Sequence, residues 1–186
     1  KEIGFNVLAK LDLEDIKTSY SGKFDVEINE ESLSLKKGET GKVTVNVAVP
    51  PGYAAGTYDE KIHVTSDRGT DILSLKVNVP EDLSYSITPE KISKFIQKRA
   101  SKLDSVKITN NGNVDLEFAL DVDGEAEESL RFKRSDVTVK RLSSRFVKVL
   151  SDVKHEKDVI KGNLILSIRE QENKIPVELF SYLADK

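Results

Sequence analysis

Apolar side chains recur at every second position along most of the chain. Lys42 to Val49 reads Lys-Val-Thr-Val-Asn-Val-Ala-Val, so Val43, Val45, Val47 and Val49 share one face and Thr44, Asn46 and Ala48 the other, as in a half-buried strand. Tyr58 to Ser66 repeats the pattern with Tyr58, Ile62 and Val64 inward, and Ile72 to Val79 with Leu73, Leu75, Val77 and Val79 inward. Ser66-Asp67-Arg68-Gly69-Thr70 joins these two as a hairpin. Pro50-Pro51-Gly52 marks a crossing loop, because proline donates nothing to a ladder and glycine admits positive φ. Beyond Pro80, Leu103 to Thr109, Val114 to Val122, Val137 to Lys140, Arg145 to Leu150, Asn163 to Arg169 and Ile175 to Tyr182 alternate in the same way, with Asn110-Asn111-Gly112-Asn113 as a tight turn. Short strands at this even spacing predict antiparallel sandwiches. Glu90 to Lys102 admits two readings. Ile92, Phe95 and Ile96 at i, i+3, i+4 fit a short amphipathic helix, or a strand ends near Ile92 and a basic loop follows whose Phe95 plugs the core.

The halves of the chain repeat one another. Leu33, Leu35, Val43, Val45 and Val47 match Val137, Val139, Val147, Val149 and Ser151 at a constant offset of 104. Gly56-x-Tyr58 is aligned with Gly162-x-Leu164, and Leu75 and Val77 with Val177 and Leu179. The strand end and proline at Asn78-Val79-Pro80-Glu81-Asp82 divide residues 1–80 from 81–186, and so short a linker predicts a semi-rigid rod. The second module carries two strands, near Ser84 to Ile87 and Leu103 to Thr109, ahead of Val114 to Val122, whereas the first begins directly with Ile3 to Leu13. The first sandwich therefore lacks two opening strands. Three explanations stand open: excision from a longer array, completion of the sheet edge by another chain through strand addition, copies of this chain included, or a smaller sandwich whose first strand is Ile3 to Leu13. The opening Lys1-Glu2-Ile3, without Met, fits a processed or excised chain.

Composition narrows the chemistry. The 186 residues are 38% hydrophobic, 33% charged and 6% aromatic, with no Cys, Met or Trp, so each of two cores is modest. Absent cysteine removes disulfides, thiolate metal sites and cysteine nucleophiles, and two histidines cannot make a His-rich metal site. A net charge of −3, from 29 Lys+Arg against 32 Asp+Glu, lacks the basic footprint of nucleic-acid binding. No apolar run reaches the roughly 18 residues of a membrane span. His63, outward between Ile62 and Val64, and His155, in the polar loop from Asp152 to Asp158, read as solvated surface residues. No Gly-x-Ser-x-Gly, phosphate-cradling glycine loop or His-Glu-x-x-His occurs. In the acidic run Asp121 to Glu128, the carboxylates of Asp121, Asp123 and Glu125 are candidate Ca²⁺ ligands, although the twelve-residue calcium loop is missing and a solvated turn accounts for the same residues.

Charge and aromatic placement add three expectations. Lys91, Lys94, Lys98, Arg99 and Lys102 form one basic stretch, and Arg131, Lys133, Arg134, Lys140 and Arg141 another, each able to meet an anionic partner or simply to be solvated. Residues 1–80 carry 10 basic and 13 acidic side chains, while 81–186 balance 19 with 19. Heavy Lys/Glu use without Cys or Met fits a thermophile's surface. Without Trp the stacking platform common in sugar-binding sandwiches is missing, and no Asn-x-Ser/Thr sequon occurs. Tyr58, just after Gly56 at a strand entry, reads as a corner tyrosine anchoring a crossing loop.

Ser32-Leu33-Ser34-Leu35-Lys36-Lys37-Gly38-Glu39-Thr40, the valine strand, Val49-Pro50-Pro51-Gly52, Gly56-Thr57-Tyr58 and the closing strand resemble the immunoglobulin-like modules repeated in archaeal and bacterial cell-surface proteins. Ile87-Thr88-Pro89, Ile108-Thr109-Asn110-Asn111-Gly112-Asn113 and Leu116-Glu117-Phe118 are similar to the opening half of that module, and equally to intracellular major-sperm-protein-like scaffolds. The resemblance implies an all-β chain of two tandem immunoglobulin-like antiparallel β-sandwiches in an extracytoplasmic setting, with no catalytic residues to carry over. The expected function is a non-enzymatic structural or interaction module of a filament, surface layer or adhesin stalk, without cofactors and with protein partners. A spacer of a secreted or membrane-anchored hydrolase and a major-sperm-protein-like scaffold are the alternatives.

Overall fold

Every described element is a strand, as the period-two pattern requires. The computed structural model describes residues 2–9, 12–29, 32–97, 103–151 and 159–182. The chain divides into two compact units, Lys1–Glu81 and Asp82–Lys186.

In the first unit the strands are β1 (Glu2–Leu8), β2 (Leu13–Ser21), β3 (Asp25–Asn29), β4 (Ser32–Leu35), β5 (Thr40–Ala48), β6 (Gly56–Ser66) and β7 (Gly69–Val79). They form two antiparallel sheets, ordered β1-β5-β3 and β4-β2-β6-β7. Val43, Val45 and Val47 of β5 are buried with Phe24, Ile62 and Val79 between the sheets. The rings of Phe24, Tyr53 and Tyr58 stack at centroid distances of 5.0 to 5.4 Å, and Tyr58 donates its hydroxyl to the Ala54 carbonyl at 2.8 Å, the corner bond expected of it. Two inward assignments fail. Val49 is 39% exposed because β5 ends at Ala48 and the chain turns away through Pro50-Pro51, and Leu73 is 38% exposed because it lies on an edge strand. Val64, Leu75 and Val77 are half-buried.

The second unit holds β8 (Tyr85–Thr88), β9 (Ile92–Gln97), β10 (Asp104–Asn110), β11 (Leu116–Gly124), β12 (Leu130–Phe132), β13 (Asp136–Val139), β14 (Ser144–Ser151), β15 (Val159–Ile168) and β16 (Gln171–Tyr182). Its sheets run β12-β14-β10-β8 and β13-β11-β15-β16-β9. Val106, Ile108, Leu116, Phe118, Leu120, Val147, Val149, Leu164, Leu166 and Leu179 are buried, as their alternation predicts. Asn110, 1% exposed, organises the turn after β10: its amide donates to the Val114 and Val139 carbonyls at 2.8 and 3.0 Å, and its oxygen accepts the Gly112 amide at 2.9 Å. Only glycine fits at 112, where a Cβ would lie 2.0 Å from the Asp82 carbonyl oxygen.

Residues 92–97 correct both readings of that segment. They form neither a helix nor a core-plugging loop but a strand, and it runs parallel to β16. Ile92 and Ile96 point into the core, a spacing of four that suits an extended strand as well as a helix, whereas Phe95 is 77% exposed and packs on Phe180 with centroids 5.0 Å apart. β12, only three residues long, left no periodic trace in the sequence. The fold is all-β, two tandem immunoglobulin-like sandwiches, antiparallel except for the β9/β16 pair.

Candidate functional site

The strand ladders place the two units in register. Hairpins β6/β7 and β15/β16 close at Ser66↔Gly69 and Ile168↔Gln171, so positions in these strands correspond at an offset of 102 (Ser66 to Ile168, Gly69 to Gln171). Leu75 and Val77 thus match Val177 and Leu179 as expected. The counterpart of Leu164 is Ile62, not Tyr58, which corrects the glycine-based alignment. On the opposite sheet Val43 of β5 pairs with Phe5, and its repeat Val147 pairs with Val106. β1 is therefore the counterpart of β10. Among the described residues the first unit holds no counterpart of β8 or β9, so the two strands that set the second unit apart are these, and not Ser84–Ile87 with Leu103–Thr109 as the sequence suggests.

Those two strands cover sheet edges in the second unit. β8 pairs with β10, and β9 lies along β16 from Val177↔Ile92 to Tyr182↔Gln97. Val177 and Leu179, opposite Ile92 and Lys94, are 2% and 0% exposed. In the first unit, among the described residues, β1 pairs only with β5 and β7 only with β6. Leu75 and Val77 are half-buried there, and Leu73 and Ile72 are 38% and 54% exposed. Relative to the second unit, β1 and β7 are thus extra edge strands, and β7 presents unpaired backbone beside the exposed side chains of Ile72 and Leu73, the arrangement that accepts an added strand.

One polar cluster inside the first unit escaped the sequence reading. Glu60 lies between Tyr58 and Ile62 on the inward face of β6 and is 6% exposed. Tyr20 donates to its Oε2 at 3.0 Å, the Lys23 amide donates to the same oxygen at 3.4 Å, and the Phe24 amide donates to the Tyr20 hydroxyl at 3.1 Å. Burial, and secondarily the neighbouring carboxylate, raise the Tyr20 pKa above its ordinary value. The position of Glu60 corresponds to Gly162. Hydrogen bonds within the cluster account for these groups, so its role is to shape the unit.

The expected calcium ligands do not converge. Asp121 accepts its neighbour's amide, from Val122, at 2.8 Å. Asp123 accepts from Asn163 at 2.7 Å and pairs with Lys174 at 3.3 Å, so both its oxygens face nitrogen donors; these contacts, the Asn163 bond foremost, hold its pKa below the usual carboxylate range. Glu125 lies in the turn after β11, beyond Gly124. Among the described residues no three acidic or histidine side chains gather as a metal would need, so this set does not fit a calcium site. His63 contacts Ser21 Oγ at 3.4 Å on the outer face, and His155 lies outside the described residues.

The basic stretches differ in character. Lys91 pairs with Glu178 at 3.7 Å and Lys94 with Asp104 at 2.5 Å, while Lys98, Arg99 and Lys102 lie outside the described residues. Lys140 pairs with Asp115 at 2.6 Å. Lys133 and Arg134 line a cavity of about 220 Å³ with Arg145 and Lys148, over a floor of Leu120, Val137 and Val147, beside the 66% exposed ring of Phe146. Four cations against the single Asp136 make this the face suited to an anionic group.

No known family and no curated protein matches the chain. Among solved structures it is similar to the Escherichia coli chaperone DraB, at 7% identity and TM-score 0.45, over 56% of this chain and 58% of that one. A protein of unknown function from Porphyromonas gingivalis W83 is similar over 97% of this chain and 91% of its own, at 15% identity and TM-score 0.40. PapD-like domain 7 of human CEP192 is similar over 54% and 87%, at 11% identity and TM-score 0.42. The chain spans little more than half of the DraB chaperone it matches.

Proposed function

We propose that the chain is a non-enzymatic structural and interaction module of a cell-surface or extracellular assembly, such as a filament, surface layer or adhesin stalk. Its rigid cores hold the modules, and its free sheet edges and basic face bind protein partners. One observation carries this reading: among the described residues nothing pairs with β7 along the edge that its repeat, β16, has covered by β9. A long uncovered edge is an aggregation hazard unless something pairs with it.

The edge-binding part is tested by selecting displayed random peptides on the intact chain and on the variant Leu73→Lys, whose exposed site tolerates lysine. Selected peptides should be extended, alternate apolar with polar residues, and lose binding to the variant. Enrichment that survives Leu73→Lys, or no enrichment, overturns it. The surface location is tested by antibody labelling of intact cells of the source organism, since labelling only after permeabilisation overturns that placement.

A further inference from the structure

The second unit contains its own worked example of what covers this edge, and the charges beside it differ between the units. On β16, Glu178 receives Lys161 from the neighbouring strand at 3.1 Å and Lys91, the residue before β9, at 3.7 Å. A cation on the incoming strand thus meets an anion on the edge strand, next to the first apolar contact, Ile92 opposite Val177. The hairpin register puts Lys76 at the position of Glu178 and Asp59 at that of Lys161, and Asp59 and Lys76 are likewise direct cross-strand partners. Both signs are exchanged. Lys76 is exposed and makes no ion pair with any described residue.

We infer that the β7 edge takes an extended segment of a partner polypeptide, parallel to β7, with apolar residues four apart opposite Leu75 and Val79 and an acidic residue immediately before the first of them. The inference rests on the reading of β7 as a docking edge and adds the chemistry of the occupant. Parallel direction and apolar spacing follow from β9, whose Ile92 and Ile96 stand opposite Val177 and Ser181, the counterparts of Leu75 and Val79. The acidic residue follows from Lys76, because like charges on neighbouring strands repel and opposite charges attract. The same reversal discriminates against β9 of a second copy, which would bring Lys91 beside Lys76.

Two synthetic peptides separate the possibilities: the segment Glu90–Gln97, and the same segment carrying Lys91→Glu. Each is titrated into the isotope-labelled 186-residue chain while the backbone amide shifts of β7 are followed. The acidic peptide should perturb the amides from Leu75 to Val79 and bind about three- to tenfold more tightly than the lysine peptide. In the chain variant Lys76→Glu, an exposed change checked by unaltered melting, the preference should invert. Equal binding that ignores Lys76→Glu overturns the charge matching while leaving the docking edge in place. Shifts confined to β1 overturn the choice of edge. If neither peptide moves any β7 amide at millimolar concentration, the inference and the edge-docking reading both fail.

Discussion

Tyr20 donates its hydroxyl to Glu60 Oε2 at 3.0 Å within the first sandwich, and Gly22 passes so close that a Cβ there would lie 1.9 Å from that oxygen and 2.1 Å from the hydroxyl. Gly22→Ala must therefore push apart a hydrogen bond that is tied to the Lys23 and Phe24 amides. It should destabilise the first unit by about 1–3 kcal/mol, the cost of leaving such groups badly paired. Glu60→Ala should fall in the same range. Calorimetry of the intact chain checks both, because the transition of the second unit should not move.

The raised pKa of Tyr20 gives the first unit an alkaline weakness. The folded unit keeps the phenolic proton that the unfolded chain releases near pH 10. Stability from this group is therefore complete below pH 10 and declines as pH rises toward the folded-state value. Melting between pH 9 and 11 should show the first unit weakening, and Tyr20→Phe should remove that dependence. A slope that survives the substitution assigns it elsewhere.

The second unit should instead be sensitive to acid. Ser84 hydroxyl and amide donation to Asp82, Lys140 to Asp115, Asn163 to Asp123 and Lys161 to Glu178 hold these carboxyls below their ordinary pKa values, and all four lie in residues 82–186. A depressed pKa contributes stability that is present above the unfolded-state value and lost as pH falls through the folded one. Unfolding followed from pH 5 down to 2 should therefore weaken the second unit, and Asp115→Asn combined with Glu178→Gln should flatten its profile.

Alternation made the cores readable, since Val43, Val45, Val147 and Val149 each face inward on strands with one wet face. It could not place Glu60, because a charged residue between Tyr58 and Ile62 looks like a break in the pattern, and only the Tyr20 hydroxyl and the Lys23 amide, close in space but distant in sequence, make its burial tolerable. The β9 segment was ambiguous because Ile92 and Ile96 satisfy either period, and its parallel pairing with β16 joins residues some 85 positions apart. Comparison of the two halves pointed to two strands that, among the described residues, only the second unit holds. Which two became clear only from the pairing of Phe5 with Val43, and the opposed signs of Lys76 and Glu178 acquired meaning only with the ladder register.

Independent cores predict independent failure. Val45 of β5 and Val149 of β14 are fully buried. An aspartate at either position buries a charge with no partner, at a cost of roughly 3–5 kcal/mol against a typical stability of about 5–15 kcal/mol for a domain. Val45→Asp should abolish or sharply lower only the first unit's transition, and Val149→Asp only the second's, as resolved by residue-specific hydrogen exchange. Cooperative melting retained in both units by either variant would contradict the strand faces assigned here.

The contrast between β16 and β7 can be reproduced inside the second unit by detaching β9. Ile92 is 2% exposed and anchors that strand, whereas Phe95, on the same strand, is 77% exposed. Ile92→Asp removes the anchor and places a charge against Val177, so β9 should lift and the β16 amides from Val177 to Tyr182 should exchange faster, while β15 stays protected by its antiparallel ladder with β11. Phe95→Ser loses only its packing against Phe180 and should leave those amides protected. If β16 remains protected in Ile92→Asp, β9 is not what shields that edge, and the bare edge of β7 loses its significance.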